Sequence, residues 1–386
     1  MKIIIISNGH SINAEGVNVS GGDIRWIEIA KRWVEKKHKL YILTSRGGRD
    51  LCLKFGLNAK FIIMETMEKK FNSSIFNYLL RSIKSTFCQP NIFDKLKPDI
   101  IYSVTEHYYD VIPAVILKRK TRANWISVVH WVATINREGK LLDNLLFFFQ
   151  QRIGIFLIKK FSDYVLAVSD STKTALFKMG FNNNLRAVAC GVDYPRIKAI
   201  LMEYSKSGKT YDAVFMKRLH PAKGIFDLID IWTLVVEKKP DSKLLIIGGG
   251  SDKTVAKLKQ LIIKKNLQNN IEMIGTVYDF TKKIRFLQKS RLFLLPSYEE
   301  NWAIVIGEAL ACGLPVISYE LPEIIPIWKN SVVWVKKGDI NLFAEAVLKF
   351  LSSPNEMAIL SKYGMEYVKQ YDWGNISYNE LNITIK

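Results

Sequence analysis

Cysteine is scarce, with four residues in 386. Cys52, Cys88, Cys190 and Cys312 are scattered, with no CxxC pair and no Cys/His cluster at zinc spacing. A disulfide scaffold and a structural zinc site are therefore excluded, and a reducing compartment is expected. Long apolar runs are also lacking. The most hydrophobic stretch, Leu141–Ile158, is interrupted by Asp143, Asn144, Gln150, Gln151 and Arg152, whereas a spanning helix needs about 20 predominantly apolar residues. The opening run Lys2–Ile6 gives way at once to the polar Ser7–Ser11, too short for the core of a secretory signal. There is no P-loop, no HExxH and no Asp-x-Asp element at a strand end, and no short repeat or low-complexity tract. Acidic residues are outnumbered, 36 against 56 Lys+Arg, which leaves a formal net charge of +20. Such a chain suits nucleic acid, an anionic membrane surface or a phosphorylated small molecule.

What the sequence does contain is alternation. Apolar, β-branched runs at Ile3–Ile6, Lys39–Thr44, Lys60–Met64, Ile100–Val104, Trp125–His130 and Tyr164–Val168 are separated by longer helix-like segments. A second series follows at Asp212–Met216, Lys243–Ile247, Ile271–Ile274, Leu292–Leu295, Pro315–Ser318 and Val332–Trp334. This is the pattern of α/β architecture with parallel sheets covered by helices on both faces. Between the series, the mostly polar segment 194–209 carries Pro195, Ser205, Ser207 and Gly208 and reads as a linker. Two Rossmann-like domains are predicted, residues 1–193 and a second beginning at 210, facing across a cleft. Ligands of such sheets bind beyond the carboxyl ends of the strands.

Those ends carry the unusual side chains. His10, His107 and His130 follow or close strands of the first domain; Arg218, His220, Gly248-Gly249-Gly250 and Glu299-Glu300 do so in the second. Glu308 lies within an apolar helix beside Val305, Ile306, Ala309 and Leu310. A carboxylate there needs a partner or a ligand, unless it lies on a narrow solvated stripe. Arg218 and Lys223 stand where Gly224 lets the chain turn into the segment Ile225–Val236. Two cations and a helix N-terminus would converge there on one anion, or both cations are solvated loop charges.

The run from Glu300 through Asn301, Trp302, Ala303 and Ile304 to Glu308, followed by Ala-Leu-Ala-Cys-Gly-Leu-Pro-Val-Ile, resembles the E-x7-E signature of retaining, nucleotide-sugar-dependent glycosyltransferases of family 4, which have the GT-B fold. Several further segments resemble that family in the same order: Gly21-Gly22 ahead of the first helix, Ala167-Val-Ser169, Cys190-Gly-Val-Asp193, Phe215-Met-Lys-Arg218-Leu-His-Pro-Ala-Lys223-Gly224, and Tyr371-Asp-Trp373. The resemblance implies that the second domain spans 210–365 and that 366–386 is a last helix crossing back to the first domain. It also implies that Gly21 and Gly22 approach phosphate, that Arg218 and Lys223 hold the pyrophosphate, and that Glu308 binds the ribose. Glu300 and His130 would face the donor sugar near the reacting centre, and the backbone N–H groups of Asn301, Trp302 and Ala303 would contact it. This loop more often reads Gly-Phe-Gly in the family, so Asn301 and Ala303 remove the freedom glycine has at φ > 0. Gly249 would lie close to the nucleotide, and His10, His107 and Tyr108 on the acceptor side.

The expected activity is therefore transfer of a sugar from a nucleotide-sugar donor to a lipid-linked or glycan acceptor, with no metal and no other cofactor. Competing readings are an epimerase or phosphorylase on the same fold and, from a different class, a basic nucleic-acid-binding protein. The latter is disfavoured because no recognition motif occurs and the basic residues are spread along the chain. The segments 68–87 and 141–160 combine Phe, Ile and Leu with Lys and Arg near helical spacing, which predicts peripheral binding to an anionic, cytoplasmic membrane face.

Overall fold

The computed structural model describes residues 1–9, 19–63, 95–133, 141–204 and 208–385. They fall into two compact units, Met1–Cys190 with Trp373–Lys386, and Gly191–Asp372. His10, Cys88 and the segment 68–87 lie outside the described residues.

The first unit is built on seven parallel strands: β1 (Lys2–Ser7), β2 (Lys39–Thr44), β3 (Lys60–Ile63), β4 (Ile100–Ser103), β5 (Asn124–Val129), β6 (Tyr164–Ala167) and β7 (Leu185–Ala187). Their order is β3-β2-β1-β4-β5-β6-β7. The second unit has six: β8 (Tyr211–Met216), β9 (Leu244–Ile247), β10 (Ile271–Met273), β11 (Ser290–Leu295), β12 (Val316–Tyr319) and β13 (Val332–Val335), in the order β10-β9-β8-β11-β12-β13. In each sheet the chain builds outward on one side of its first strand and then returns to the other. The reversals fall between β1 and β4 and between β8 and β11, the places where open α/β sheets take ligands. The central strands carry runs of buried apolar residues because helices cover both faces. Ile3 to Ile6 are fully buried, and so are Leu244, Leu292, Phe293 and Leu294.

Twelve of the thirteen strands fall where the alternation predicts. The exception is β7, three residues long, in which Leu185 alone is buried. The expected linker is also different. Tyr194–Glu203 is a helix of the second unit that buries Ile197 and Ile200. Pro195 does not break it because it stands in the first turn, where its missing N–H costs nothing. The expected last helix from 366 begins at Trp373 instead, since the preceding helix runs from Pro354 to Val368 within the second unit.

The helix Trp373–Ile385 packs on the helix Gly21–Glu35 around a fully buried ion pair, Arg25 with Glu380. Tyr102 completes the set: its hydroxyl accepts from Arg25 at 3.2 Å and donates to Glu380 at 2.9 Å. The Trp33 indole N–H donates to the Ser377 carbonyl at 3.1 Å. Burial works against the guanidinium charge, but Glu380 and Tyr102 outweigh it and hold its pKa above the ordinary value.

The helix Leu141–Phe161 has a buried face and an exposed apolar one. One turns Gln151, Ile155 and Ile158 inward; the other leaves Phe149, Ile153 and Phe156 exposed at 60%, 53% and 61%, in one line at i, i+4 and i+7. Among the described residues no helix is long and apolar enough to cross a membrane.

Candidate functional site

At the β8–β11 reversal, the loop after β11 carries Glu300 between two lysines. Lys217 Nζ stands 2.9 Å from Oε2 and Lys223 Nζ 3.3 Å from Oε1. Lys217 is the first residue beyond β8, with its N–H bonded to the Ile247 carbonyl at 3.1 Å. Lys223 is placed by a short 3-10 turn capped by His220, which accepts from the Ala222 N–H at 3.2 Å. The turn ends at Gly224, with φ +66°; a Cβ there would lie 1.7 Å from the Pro296 carbonyl oxygen, so no other residue fits. Lys223 Nζ also donates to the Glu299 carbonyl. The same loop is held from below, where the Tyr298 hydroxyl donates to Asp227 at 2.6 Å.

Burial disfavours ionised Glu300, yet the two lysines more than offset it and keep its pKa below the usual carboxylate value. The Lys223 pKa is also lowered, chiefly by burial, against which Glu300 works. Glu300 is therefore an anion held against two cations. Arg218, next to Lys217, is exposed, and among the described residues nothing hydrogen-bonds or ion-pairs with its guanidinium. The structure thus joins Lys223 to Glu300 and adds Lys217, which sequence reasoning missed; it leaves Arg218 facing solvent.

Glu308 is buried as expected, but it has a protein partner: Lys283 on the helix Phe280–Gln288 approaches its Oε1 at 2.6 Å. Ahead of it the loop departs from expectation. Ala303 itself adopts the left-handed conformation, φ +55° and ψ +62°, as the N-cap of the helix Ile304–Ala311. An alanine there is strained by about 1–2 kcal/mol, and after the roughly 0.4–1 kcal/mol that glycine's extra freedom in the unfolded chain costs, a net gain of about 1 kcal/mol should raise the unfolding midpoint of Ala303→Gly by roughly 2–4 °C; calorimetry checks this, and a lowered midpoint would refute the strain. The Trp302 ring is core, edge-on to Trp328 and Tyr371 at 4.7 and 5.2 Å between centroids. The triple glycine is explained by close neighbours, backbone at Gly248 and Gly250 and a side chain at Gly249. A Cβ on Gly248 would meet the Lys217 carbonyl at 1.8 Å, one on Gly249 the Thr276 hydroxyl at 2.6 Å, and one on Gly250 the Leu219 carbonyl at 2.4 Å.

In the first unit, the polar groups gather at the β1–β4 reversal and the neighbouring end of β5. Gly21 and Gly22 are not a loop but the first two residues of the helix Gly21–Glu35, started by a Ser20–Asp23 capping box. A Cβ on Gly22 would meet the His130 ring at 3.0 Å, so the two residues singled out from sequence touch. His130 Nε2 lies 2.9 Å from the Val104 carbonyl, an acceptor, which assigns the proton to Nε2. Burial holds this imidazole below its ordinary pKa, hence neutral near pH 7. Its backbone N–H donates to Glu106 at 3.0 Å, and the other Glu106 oxygen accepts from Gln151 at 2.8 Å. Glu106 and Gln151 are 1% and 0% exposed; neither was singled out from sequence. His107 is the N-cap of the helix Tyr108–Thr121, packed against Tyr109 and Phe147. The Tyr108 side chain is buried in the core rather than presented to solvent. Among the described residues no cluster of three or more His, Cys, Asp or Glu is placed to hold a metal ion.

Two units, each a doubly wound parallel sheet, have the architecture of the GT-B fold. Residues 198–367 match the family model described as Glycosyl transferases group 1, and residues 19–196 the one described as Glycosyltransferase Family 4. The chain belongs to this family of glycosyltransferases. An uncharacterized glycosyltransferase of Methanocaldococcus jannaschii is 23% identical over 78% of this chain and 81% of its own length. The GDP-mannose:cellobiosyl-diphosphopolyprenol alpha-mannosyltransferase of Xanthomonas oryzae is 23% identical over 55% of each chain. In structure, HepE of Anabaena, crystallised with UDP and glucose, superposes with a TM-score of 0.76 over 100% of this chain and 99% of its own, at 17% identity.

Proposed function

We propose that this glycosyltransferase is a retaining, metal-independent enzyme that takes its sugar from a nucleotide-sugar donor and passes it to a lipid-linked or glycan acceptor. The observation that carries the reading is the set Lys217, Arg218 and Lys223 at the end of β8, two of them closed on Glu300. Departure of a nucleoside diphosphate builds negative charge on the β-phosphate, and preorganised cations lower the barrier to it most directly. Arg218 and Lys223 supply that charge in place of a divalent ion. Glu300, kept ionised, is suited to the sugar hydroxyls and to positive charge at the anomeric carbon. Glu308 is suited to the ribose, with Lys283 holding it in place. The neutral His130 adds a hydrogen-bonding group for sugar.

The relatives name different nucleotides, GDP in one and UDP in the other, so the test must span them. Thermal unfolding with UDP-glucose, GDP-mannose and ADP-glucose should single out one donor that stabilises in EDTA as well as without it, by about 2.7 kcal/mol at a hundred times its Kd. If none stabilises, or only with added Mg²⁺ or Mn²⁺, the reading fails.

The acceptor class rests on the outer face of the helix Leu141–Phe161. Phe149, Ile153 and Phe156 form an apolar ridge with Lys159 and Lys160 exposed at one end. Apolar insertion plus about 1 kcal/mol for each cation near an anionic surface gives reversible binding. Co-sedimentation with phosphatidylglycerol vesicles should be strong at low salt, weaken as salt screens it, and be lost in a Phe149→Ser, Phe156→Ser variant. Wild-type protein left in the supernatant at low salt would remove the membrane and leave a soluble glycan acceptor.

A further inference from the structure

Two lysines on one buried carboxylate are more than its charge requires. Lys217 and Lys223 approach different oxygens of Glu300, at 2.9 and 3.3 Å. The two lysines are held differently. Lys223 sits on a turn, donates also to the Glu299 carbonyl, and comes from the segment with Arg218. Lys217 is locked at a strand end: its N–H is bonded to Ile247, and its carbonyl leaves no room for any side chain on Gly248.

We infer that Lys217 is a positioning residue, the standing counter-ion that keeps Glu300 ionised and aimed while Lys223 is released to the donor diphosphate. This rests on the donor-site reading above. If Lys223 alone neutralised Glu300, its transfer to phosphate would strand a buried anion, which would take up a proton and lose its value at the sugar. With Lys217 fixed on Oε2, the exchange at Oε1 leaves one ion pair intact. The charged and polar groups acting on Glu300 are Lys217 from the end of β8, Lys223 from the turn before the helix Ile225–Lys238, and Ser297 from its own loop. Lys217 and Lys223 alone supply positive charge among these.

The substitution Lys217→Met removes the charge and keeps the stem; Lys217→Arg keeps both. In protein carrying ¹³C-labelled glutamate side chains, the Glu300 carboxyl resonance, assigned with Glu300→Gln, reports its pKa without any substrate. Lys217→Met should raise that pKa by about one unit or more, and Lys217→Arg should restore it. UDP and GDP affinity, measured by calorimetry, should change less than threefold in Lys217→Met, whereas Lys223→Met should weaken it tenfold or more. With the donor found by thermal unfolding, the acid limb of kcat/KM should move upward with the carboxyl pKa, and kcat should fall more than KM rises. An unmoved carboxyl titration would overturn the inference, and so would a tenfold loss of nucleotide affinity in Lys217→Met, which would make Lys217 a phosphate ligand. A wild type that binds neither nucleotide, with the carboxyl shift still observed, would defeat the donor-site reading and leave the Lys217–Glu300 coupling standing.

Discussion

Replacing Lys223 or Arg218 by alanine should lower kcat/KM about 100-fold or more, the usual cost of removing one preorganised donor from a developing anion. The two substitutions are expected to differ in character. Arg218 is exposed, with no partner among the described residues, so on the proposed reading the effect of Arg218→Ala falls on the donor diphosphate. Lys223 is tied to Glu300 and to the Glu299 carbonyl, so Lys223→Ala also loosens the loop that carries Glu300. Steady-state kinetics on both, with thermal unfolding as a control, separates these contributions. Arg218→Ala should leave the unfolding midpoint where it was. Wild-type turnover in both variants would remove the diphosphate assignment altogether.

The second large effect concerns stability. Glu380→Ala should destabilise the unit formed by Met1–Cys190 and Trp373–Lys386 by about 3–5 kcal/mol, since it leaves a buried guanidinium without its counter-ion. Arg25 and Glu380 are both 0% exposed, so water cannot stand in for the missing carboxylate. Denaturant unfolding followed by Trp33 and Trp125 fluorescence would report it. A double change, Arg25→Met with Glu380→Leu, should recover much of the loss, because matched apolar pairs commonly do as well as buried ions. An exposed-pair cost of under about 1 kcal/mol for Glu380→Ala would show that the pair is not sealed from solvent.

Much of this architecture was legible in the sequence because both sheet faces are buried, which makes the strands continuous apolar runs. β7 escaped notice because only Leu185 of its three residues is buried. The helix Tyr194–Glu203 resembles a linker in sequence because Pro195 and nearby polar residues suggest a break, and a first-turn proline does not make one. In the site, Lys223, Glu300 and Glu308 stand out in the sequence through their resemblance to the family's motifs. Lys217 and Lys283 were not, because nothing local distinguishes them from the many other lysines; only the fold brings them to a carboxylate 83 and 25 residues away. The same holds for Glu106 and Gln151, joined across 45 residues. That Ala303 would accept φ +55° ran against its residue type.

The placement of Glu380 has a consequence for how the protein is made. Arg25 enters the interior of a unit whose neutralising carboxylate follows 355 residues further along the chain. Between Cys190 and Trp373 the whole second unit must be synthesised, on the order of 10–40 s at typical rates of elongation. Throughout that interval the earlier unit lacks its closing helix and the Trp33 acceptor at Ser377. The later unit, continuous from Gly191 to Asp372 with Val192 bonded to Tyr371 at 2.8 Å, lies wholly ahead of that helix in the chain. The order of completion is therefore the reverse of the order of translation, and a nascent chain stalled before Glu380 would present a finished second unit and an unfinished first, the form a chaperone would meet.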